Sequence, residues 1–253
     1  MSLWLTVAAA ALVVHPMGIS PSGASVPENL LRIKLEFNRV RDLAPQAIQA
    51  SLLDEEGEVI DGAFLDLALP SADGRHLTLL MHPGRVKTDV GPNRALGRAL
   101  KAGRRVTLVV SSPWSSIPSR RTWQVVEPDV VGPSASLWRA AAPIAGGRAP
   151  LRVALDAPVD ARGGDLIAVR NAKGGRIAGA ARLEQGETVW VFTPTQPWTP
   201  GAYDIVVHPS LEDPAGNRTC GAFEAIKASL VTCQMVHGPS FVIVKSSRRG
   251  ARP

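Results

Sequence analysis

LRIKLEFNRV, residues 31–40, alternates apolar with other side chains, and LRVALDAPV, residues 151–159, repeats this pattern in the second half of the chain. Alternation with a period of two is typical of a β-strand that has one buried face. Both stretches end on an acidic residue or an asparagine followed by a turn. The pair therefore indicates that the chain contains the same kind of β unit twice.

Three further features follow each of these strands in the same order: a hairpin, a strand, and a glycine-containing turn that leads into another strand. They lie at 51–64, 76–82 and 100–114 in the first half and at 166–181, 188–194 and 198–213 in the second. Many short strands separated by turn residues are typical of antiparallel sandwiches. The sequence predicts an all-β fold of two tandem antiparallel Ig-like β-sandwich domains.

The composition agrees with this prediction. Hydrophobic residues make up 45% of the 253-residue chain, enough for packed cores, and its 23 glycines and 21 prolines suffice to separate many short elements. Their combined share stays below the range typical of disorder. Prolines and glycines concentrate between Glu127 and Pro150, which predicts a linker. Trp123 and Trp138 lie close to it, and we expect them to pack at an interdomain contact or a sheet edge.

An unbroken apolar run, LWLTVAAAALVV, occupies residues 3–14. Its length matches the apolar part of a secretory signal and is too short to span a bilayer. No lysine or arginine precedes it, so the positively charged part of such a signal is missing. We predict a signal peptide over 1–24, with small residues at 23–25 for cleavage, and export to the periplasm, cell surface or extracellular space. A buried strand or a poorly ordered tail is the alternative.

The two cysteines, Cys220 and Cys233, lie close together near the C-terminus. In an oxidising compartment they can join adjacent strands as a disulfide. The alternative is that both are small core residues. Two cysteines do not supply the four ligands of a structural zinc site, and no histidine cluster stands beside them. We predict neither a metal nor a cofactor.

These features divide the chain into five predicted parts. They are a signal peptide at 1–24, Ig-like domain 1 at 25–127, a linker leading into domain 2 at 128–150, Ig-like domain 2 at 151–245, and a basic tail at 246–253.

Several stretches resemble an uncharacterised family of secreted bacterial Ig-like proteins. They are VPENLLRIKLEFN (26–38), LLDEEGEV (52–59), HLTLLMHPGRVK (76–87), LKAGRRVTLVV (100–110) and LEDPAGN (211–217). Each half is also similar to the Ig-like modules of bacterial surface-layer proteins, in which a terminal D-x-x-G-N turn recurs. The resemblance covers roughly residues 26–244 and implies the fold and the compartment. It implies no activity and no catalytic residue.

Domain 1 carries an insertion, PGRVKTDVGPNRALGRAL at 83–100, that is much longer than the matching connection at 193–200 in domain 2. The insertion and its edge form the densest basic patch of the chain, with Asp89 as the single acid and Lys101 among the bases. The candidate ligand-binding residues are Arg85, Lys87, Arg94, Arg98, Arg104 and Arg105. Arginines bind phosphate, sulfate or carboxylate groups in a bidentate manner. The alternative is that the insertion covers a sheet edge or packs on domain 2.

Catalytic signatures are missing from the sequence. It contains no G-x-S-x-G, no H-E-x-x-H and no phosphate-binding glycine loop, and its five histidines are scattered. The insertion has no aromatic residue, so nucleic acid is not an expected partner. In LEDPAGN, Asp213 and Asn217 are expected to bond backbone groups in a turn rather than to bind calcium. We predict a non-catalytic module that binds an envelope glycan or protein, with a purely architectural spacer as the alternative.

Overall fold

The computed structural model of the chain describes residues 16–37, 48–87, 91–112, 115–223 and 234–245. The strands of the first half are β1 Pro16–Ser20, β2 Ser25–Pro27, β3 Arg32–Phe37, β4 Gln49–Leu53, β5 Phe64–Pro70, β6 His76–Met81, β7 Arg105–Ser112 and β8 Ser115–Val126. Two short helices, α1 Pro83–Val86 and α2 Gly91–Leu96, lie between β6 and β7. The strands of the second half are β9 Arg139–Ala141, β10 Leu151–Ala154, β11 Ile167–Asn171, β12 Gly179–Glu184, β13 Val189–Pro194, β14 Gly201–Val207 and β15 Val236–Ile243.

The first half forms two four-stranded sheets, in the orders β1-β3-β6-β5 and β2-β8-β7-β4. All neighbouring strands are antiparallel except β2 and β8, which are parallel. The alternation predicted for β3 is observed, since Ile33, Leu35 and Phe37 are buried. Strands A, B, E and D of an immunoglobulin domain share one sheet and strands C, F and G the other. The first half has this arrangement, with its N-terminal strand divided between the two sheets.

The second half forms sheets in the orders β12-β13-β10-β9 and β11-β14-β15, which correspond to the same two groups of strands. Tyr203, at the start of β14, donates a 3.0 Å hydrogen bond to Thr199 O. A tyrosine that bonds the backbone just upstream of strand F is a recurrent feature of Ig-like sandwiches. The predicted fold class is therefore confirmed. Strand β9 lies within the predicted linker 128–150 and pairs with β10, so this part of the linker belongs to the second sandwich.

Each sandwich has its own hydrophobic core. Trp123 and Trp138 are each 1% exposed and lie in the first and second core, respectively. The expectation that they pack at an interdomain contact or a sheet edge is wrong. Trp123 shares the inward face of β8 with Val125, and its Nε1 donates to Pro21 O at 2.9 Å. Trp138 Nε1 donates to Asp156 Oδ1 at 2.8 Å.

The residues from Pro16 to Ala24 are part of the first sandwich, although they fall within the predicted signal peptide 1–24. Strand β1 pairs with β3, and Ala24 O accepts a 3.0 Å hydrogen bond from Gln124 N. Arg121 donates to the Gly23 carbonyl at 2.7 Å. Cleavage after Ala24 would remove an edge strand and these acceptors, so a boundary at this position is at odds with the fold. Residues 1–15 and the basic tail 246–253 lie outside the described residues.

Candidate functional site

The basic insertion contains the two short helices α1 and α2, and its last part, 97–100, is not helical. Residues 88–90, which include Asp89, lie outside the described residues. His82 Nδ1 accepts a hydrogen bond from Gly84 N at 3.0 Å and caps α1. Pro83 begins the helix, where the missing N–H of proline leaves no carbonyl without a partner. The sequence His-Pro-Gly therefore ends strand β6 and starts the insertion.

Arg85 lies buried beneath the insertion, with 6% of its surface exposed. Its Nε donates to Gly97 O at 2.7 Å, and its guanidinium also donates to Asp61 O. Its own carbonyl accepts from Ala99 N at 3.0 Å. A buried guanidinium needs such partners, and these contacts fix the insertion to the sandwich. Arg85 is therefore a structural residue, and its predicted role in ligand binding is corrected.

An acidic hairpin turn, DEEGE at 54–58, lies opposite the insertion. Asp54 Oδ1 accepts hydrogen bonds from Glu56 N at 3.1 Å and from Glu58 N at 2.8 Å. Gly57 has a φ of 88°, which a residue with a side chain rarely adopts. The turn is thus held in one shape by its own sequence.

Two of the predicted ligand-binding arginines form ion pairs within the first sandwich. Arg98 donates to Glu28 at 2.8 Å, and Arg104 donates to Glu55. The hydrogen bond from Arg104 lowers the pKa of the Glu55 carboxyl, which stays ionised opposite the arginine. Both arginines are therefore occupied with internal partners.

Lys87 points toward the second half of the chain. Its Nζ lies 5.2 Å from the centroid of the Phe223 ring, within the range of a cation–π contact. Packing of the insertion on domain 2 was the alternative expectation, and this contact agrees with it. Of the six predicted ligand-binding residues, Arg94 and Arg105 remain exposed and form no ion pair with a described carboxylate.

The acidic turn and the basic insertion form the two walls of an open cleft of about 400 Å³, which we call the charged cleft. Val59, Ile60 and Leu96 add apolar surface between the walls. The acidic wall contains Asp54, Glu55, Glu56 and Asp61, and the basic wall contains Arg98, Lys101, Arg104 and Arg105. Lys101 and Arg105 are the bases of this wall that form no ion pair within the described residues.

A wider cleft of about 740 Å³ lies between the two sandwiches. Besides His76, which lies 3.5 Å from Asp73, its lining contains three bases and four acids: Lys34, Arg162, Arg182, Glu36, Asp73, Asp165 and Glu187. Charges of both signs are mixed in nearly equal number, so this cleft has no strong preference for a charged ligand.

An ion cluster joins the two sandwiches. Arg32 on β3 lies 2.8 Å from Asp160 and also contacts Glu212, and all three side chains are at most 17% exposed. The Nε–H of Arg32 is not aimed at the Asp160 oxygen, so this contact is an ion pair and not a hydrogen bond. Nearby, buried Glu187 accepts Ser22 N with both carboxylate oxygens, at 3.0 and 2.8 Å.

A second junction is organised by the LEDPAGN turn. Asn217 donates to Asp129 O at 2.9 Å and to Asp213 Oδ2 at 2.8 Å, and its N–H donates to Asp213 Oδ1 at 2.9 Å. Asn29 of the first sandwich also donates to Asp129 O, at 2.7 Å. The expectation that Asp213 and Asn217 bond polar groups of a turn is confirmed. This network ties the turn to the linker and to the first sandwich.

Cys220 is disulfide-bonded, whereas Cys233 lies outside the described residues. Their predicted pairing therefore stays a prediction. Among the described residues, no group of three or more histidine, cysteine or acidic side chains is placed to hold a metal ion. None of the helices in the described ranges is long and apolar enough to cross a membrane.

No family model matches the sequence, and no curated protein matches it either. Among solved structures, the chain is similar to the BSP domain of a biofilm associated protein, with 9% identity, a TM-score of 0.30, and coverage of 93% of this chain and 30% of that one. It is also similar to the N-terminal Ig1-2 module of the Drosophila receptor protein tyrosine phosphatase DLAR (11% identity, TM-score 0.25, 90% and 98% covered). A third similar structure is that of the titin domains z1z2 in complex with telethonin, with 11% identity, a TM-score of 0.26, and coverage of 88% of this chain and 91% of that one. These TM-scores are low, so the fold is assigned from the strand pairing of the structure and not from these similarities.

Sequence reasoning missed the acidic partners that face the insertion. Glu28 and Glu55 are 70 and 49 residues away from the arginines they bind, and no local pattern connects them. One signal was present in the DEEGE run, because a dense acidic turn and a dense basic segment in one small domain attract each other. Lys101 belongs to the predicted basic patch but not to the predicted ligand-binding residues, and the structure places it in the wall of the charged cleft.

Proposed function

We propose that the protein is an exported, non-catalytic binding module of the cell envelope or the extracellular space, and that it contacts an anionic glycan or protein through the basic wall of the charged cleft. The resemblance of its sequence to secreted bacterial Ig-like proteins supports export. Its binding surface is a loop insertion on a rigid sandwich, the part of a fold where binding usually resides.

One observation carries the proposal. Lys101 and Arg105 line the charged cleft without an ion-pair partner among the described residues, while Arg98 and Arg104 in the same wall are neutralised by Glu28 and Glu55. The two free bases stand at the start of β7, where the sandwich holds them in place. Carboxylate or sulfate groups are the partners that such bases prefer.

Reversing the charge of Lys101 tests the proposal. We expect Lys101→Glu to weaken binding to immobilised polygalacturonate about tenfold, since a hydrogen bond to a charged group contributes about 1.5 kcal/mol. Affinity is measured by biolayer interferometry at low and at physiological ionic strength. Arg75→Glu, at an exposed arginine in the turn between β5 and β6, is the matched control and should bind like the wild type. Equal binding by Lys101→Glu and the wild type would refute the role of the basic wall.

A second candidate function, an architectural spacer, is favoured by the junction between the sandwiches. Arg32, Asp160 and Glu212 form a cluster with little exposure, and Glu187 adds two contacts to Ser22. Such contacts hold two modules at a fixed angle, which is what a spacer requires. The two functions are compatible, but a spacer alone predicts no binding to any anionic ligand.

Export carries its own prediction, which concerns the position of cleavage. We expect the mature N-terminus of the secreted protein to lie at or before Pro16, because β1 and the carbonyls of Pro21 and Gly23 are part of the first sandwich. N-terminal sequencing of protein from the periplasmic and culture fractions provides the measurement. A truncated chain that starts at Ser25 should be less stable than the full chain. A folded secreted product that starts at Ser25 would contradict this prediction.

A further inference from the structure

The outward side of the sheet formed by β4, β7 and β8, which we call the open face, carries no acidic residue. Its members alternate along each strand with the buried residues Leu52, Val106, Leu108 and Trp123. From β4 and β7 they are Gln49, Ser51, Leu53, Arg105, Thr107, Val109 and Ser111, and from β8 they are Pro118, Arg120, Thr122, Gln124 and Val126. Apart from two arginines, the open face presents mainly hydroxyl, amide and small apolar side chains.

Arg105 and Arg120 supply the charge of this face. Both are exposed, and neither forms an ion pair with a described carboxylate. Arg120 lies opposite Val109, four residues along β7 from Arg105. At about 3.4 Å per residue, the two arginines stand about 14 Å apart along the sheet. A compact anion does not reach both.

The hydroxyl side chains between the arginines are held in place. Thr107 and Thr122 face each other across β7 and β8, and their hydroxyl oxygens lie 2.9 Å apart. A flat row of hydroxyl and amide groups can exchange hydrogen bonds with the hydroxyls of a sugar chain. Among the described residues of this face, no aromatic side chain is present to stack against nucleic-acid bases.

Arg105 is also part of the basic wall of the charged cleft, so the open face begins where the cleft ends. We propose that the ligand is a linear anionic polysaccharide that runs from Lys101 and Arg105 across the open face to Arg120. This inference rests on the proposed function and names its ligand class. Charge complementarity favours it, because repeated carboxylate or sulfate groups on one chain can pair with a base at each end of the open face, which has no acid between Arg105 and Arg120. Glu55 lies beside Arg105 at the cleft end, so Lys101 and Arg120 are the bases of this path farthest from an acid.

The experiment compares digalacturonate, which is too short to reach from Arg105 to Arg120, with long-chain polygalacturonate. Arg120→Glu should weaken binding of the long polymer about tenfold, as the loss of one charged contact predicts, and leave binding of digalacturonate unchanged. Lys101→Glu should weaken both. Arg75→Glu serves as the control, and thermal unfolding of each variant confirms that it is folded. Dextran sulfate in the same assay tells whether sulfate groups serve as well as carboxylates.

The outcomes separate the two proposals. If Lys101→Glu weakens binding and Arg120→Glu does not, the basic wall is correct and the path across the open face is refuted. If neither variant changes binding, or if the wild type binds neither the galacturonates nor dextran sulfate, both proposals fail. Binding of a short DNA duplex that depends on Arg120, without binding of either polysaccharide, also overturns the inference.

Discussion

Replacing Arg32 by alanine is expected to lower the free energy of unfolding by about 2 kcal/mol, because Asp160 and Glu212 lose their least exposed cation and the charged contact across the junction. Among the described residues of the first sandwich, Arg32 is the one that forms ion pairs with both carboxylates. Arg162 and Arg218 also pair with these acids but are half exposed, and both belong to the second sandwich. The loss therefore affects the coupling between the two sandwiches.

Differential scanning calorimetry of the full chain measures this effect. The two sandwiches of the wild type should unfold together in one transition. Arg32→Ala should show two separate transitions, one for each sandwich, at lower temperatures. Arg75→Ala, at an exposed arginine that forms no ion pair with a described residue, is the matched control. Adding Asp160→Asn and Glu212→Gln to Arg32→Ala should recover part of the loss, because the two little-exposed side chains that lost Arg32 are then neutral. An Arg32→Ala protein that unfolds like the control would show that the ion cluster does not couple the sandwiches.

The strands were the part of the fold that local sequence specified well. LRIKLEFNRV encodes β3 because every second side chain must enter the core, and β7 follows the same period. Strands β6 and β13 lie inside their sheets and are buried along most of their length, so their apolar runs identify them instead. The tryptophans were misplaced for a related reason. Trp123 was interpreted from its nearness to the linker, although its alternation with Val125 along β8 already indicates the core face. The period of the strand carries more information than the distance to a domain boundary.

The N-terminal boundary and the binding surface depend on contacts between distant residues. Nothing in the local pattern of 16–24 shows that the Pro21 carbonyl will accept a hydrogen bond from Trp123. Likewise, a count of arginines identifies a basic segment, but it does not show which of the arginines bind partners inside the folded chain. Arg85 serves backbone carbonyls and Arg98 serves Glu28, whereas Arg105 stays free. Sequence predicted the segment correctly as basic, and the tertiary structure determines which of its charges face solvent.

One buried acid, Asp213, is expected to lower the free energy of unfolding as the pH rises, whereas an acid whose pKa is lowered by folding raises it. The side chain of Asp213 is buried, with 1% exposure. This burial and the negative charge of Asp129 raise the pKa of the Asp213 carboxyl from 3.8 to about 6. Hydrogen bonds from Asn217 lower this pKa but do not cancel the effect of burial. Between these two values the folded state binds a proton that the unfolded state has lost. The contribution of Asp213 to stability is therefore greatest below pH 4 and falls by about 3 kcal/mol as the pH rises through 6.

Urea unfolding of the wild type and of Asp213→Asn at pH 4 and pH 7 measures this contribution. An asparagine does not titrate, so any fixed cost of the changed hydrogen bonds to Asn217 is the same at both pH values and cancels in the comparison. We expect the variant to gain about 2 kcal/mol relative to the wild type between pH 4 and pH 7, since part of the effect is already present at pH 4. Asp73→Asn should change in the opposite direction and only as the pH falls below about 4, because the Ser71 hydroxyl and Arg75 N–H lower the pKa of Asp73. A difference between wild type and Asp213→Asn that does not vary with pH would mean that Asp213 is ionised at no cost, and that the polar network around Asn217 replaces the water it has lost.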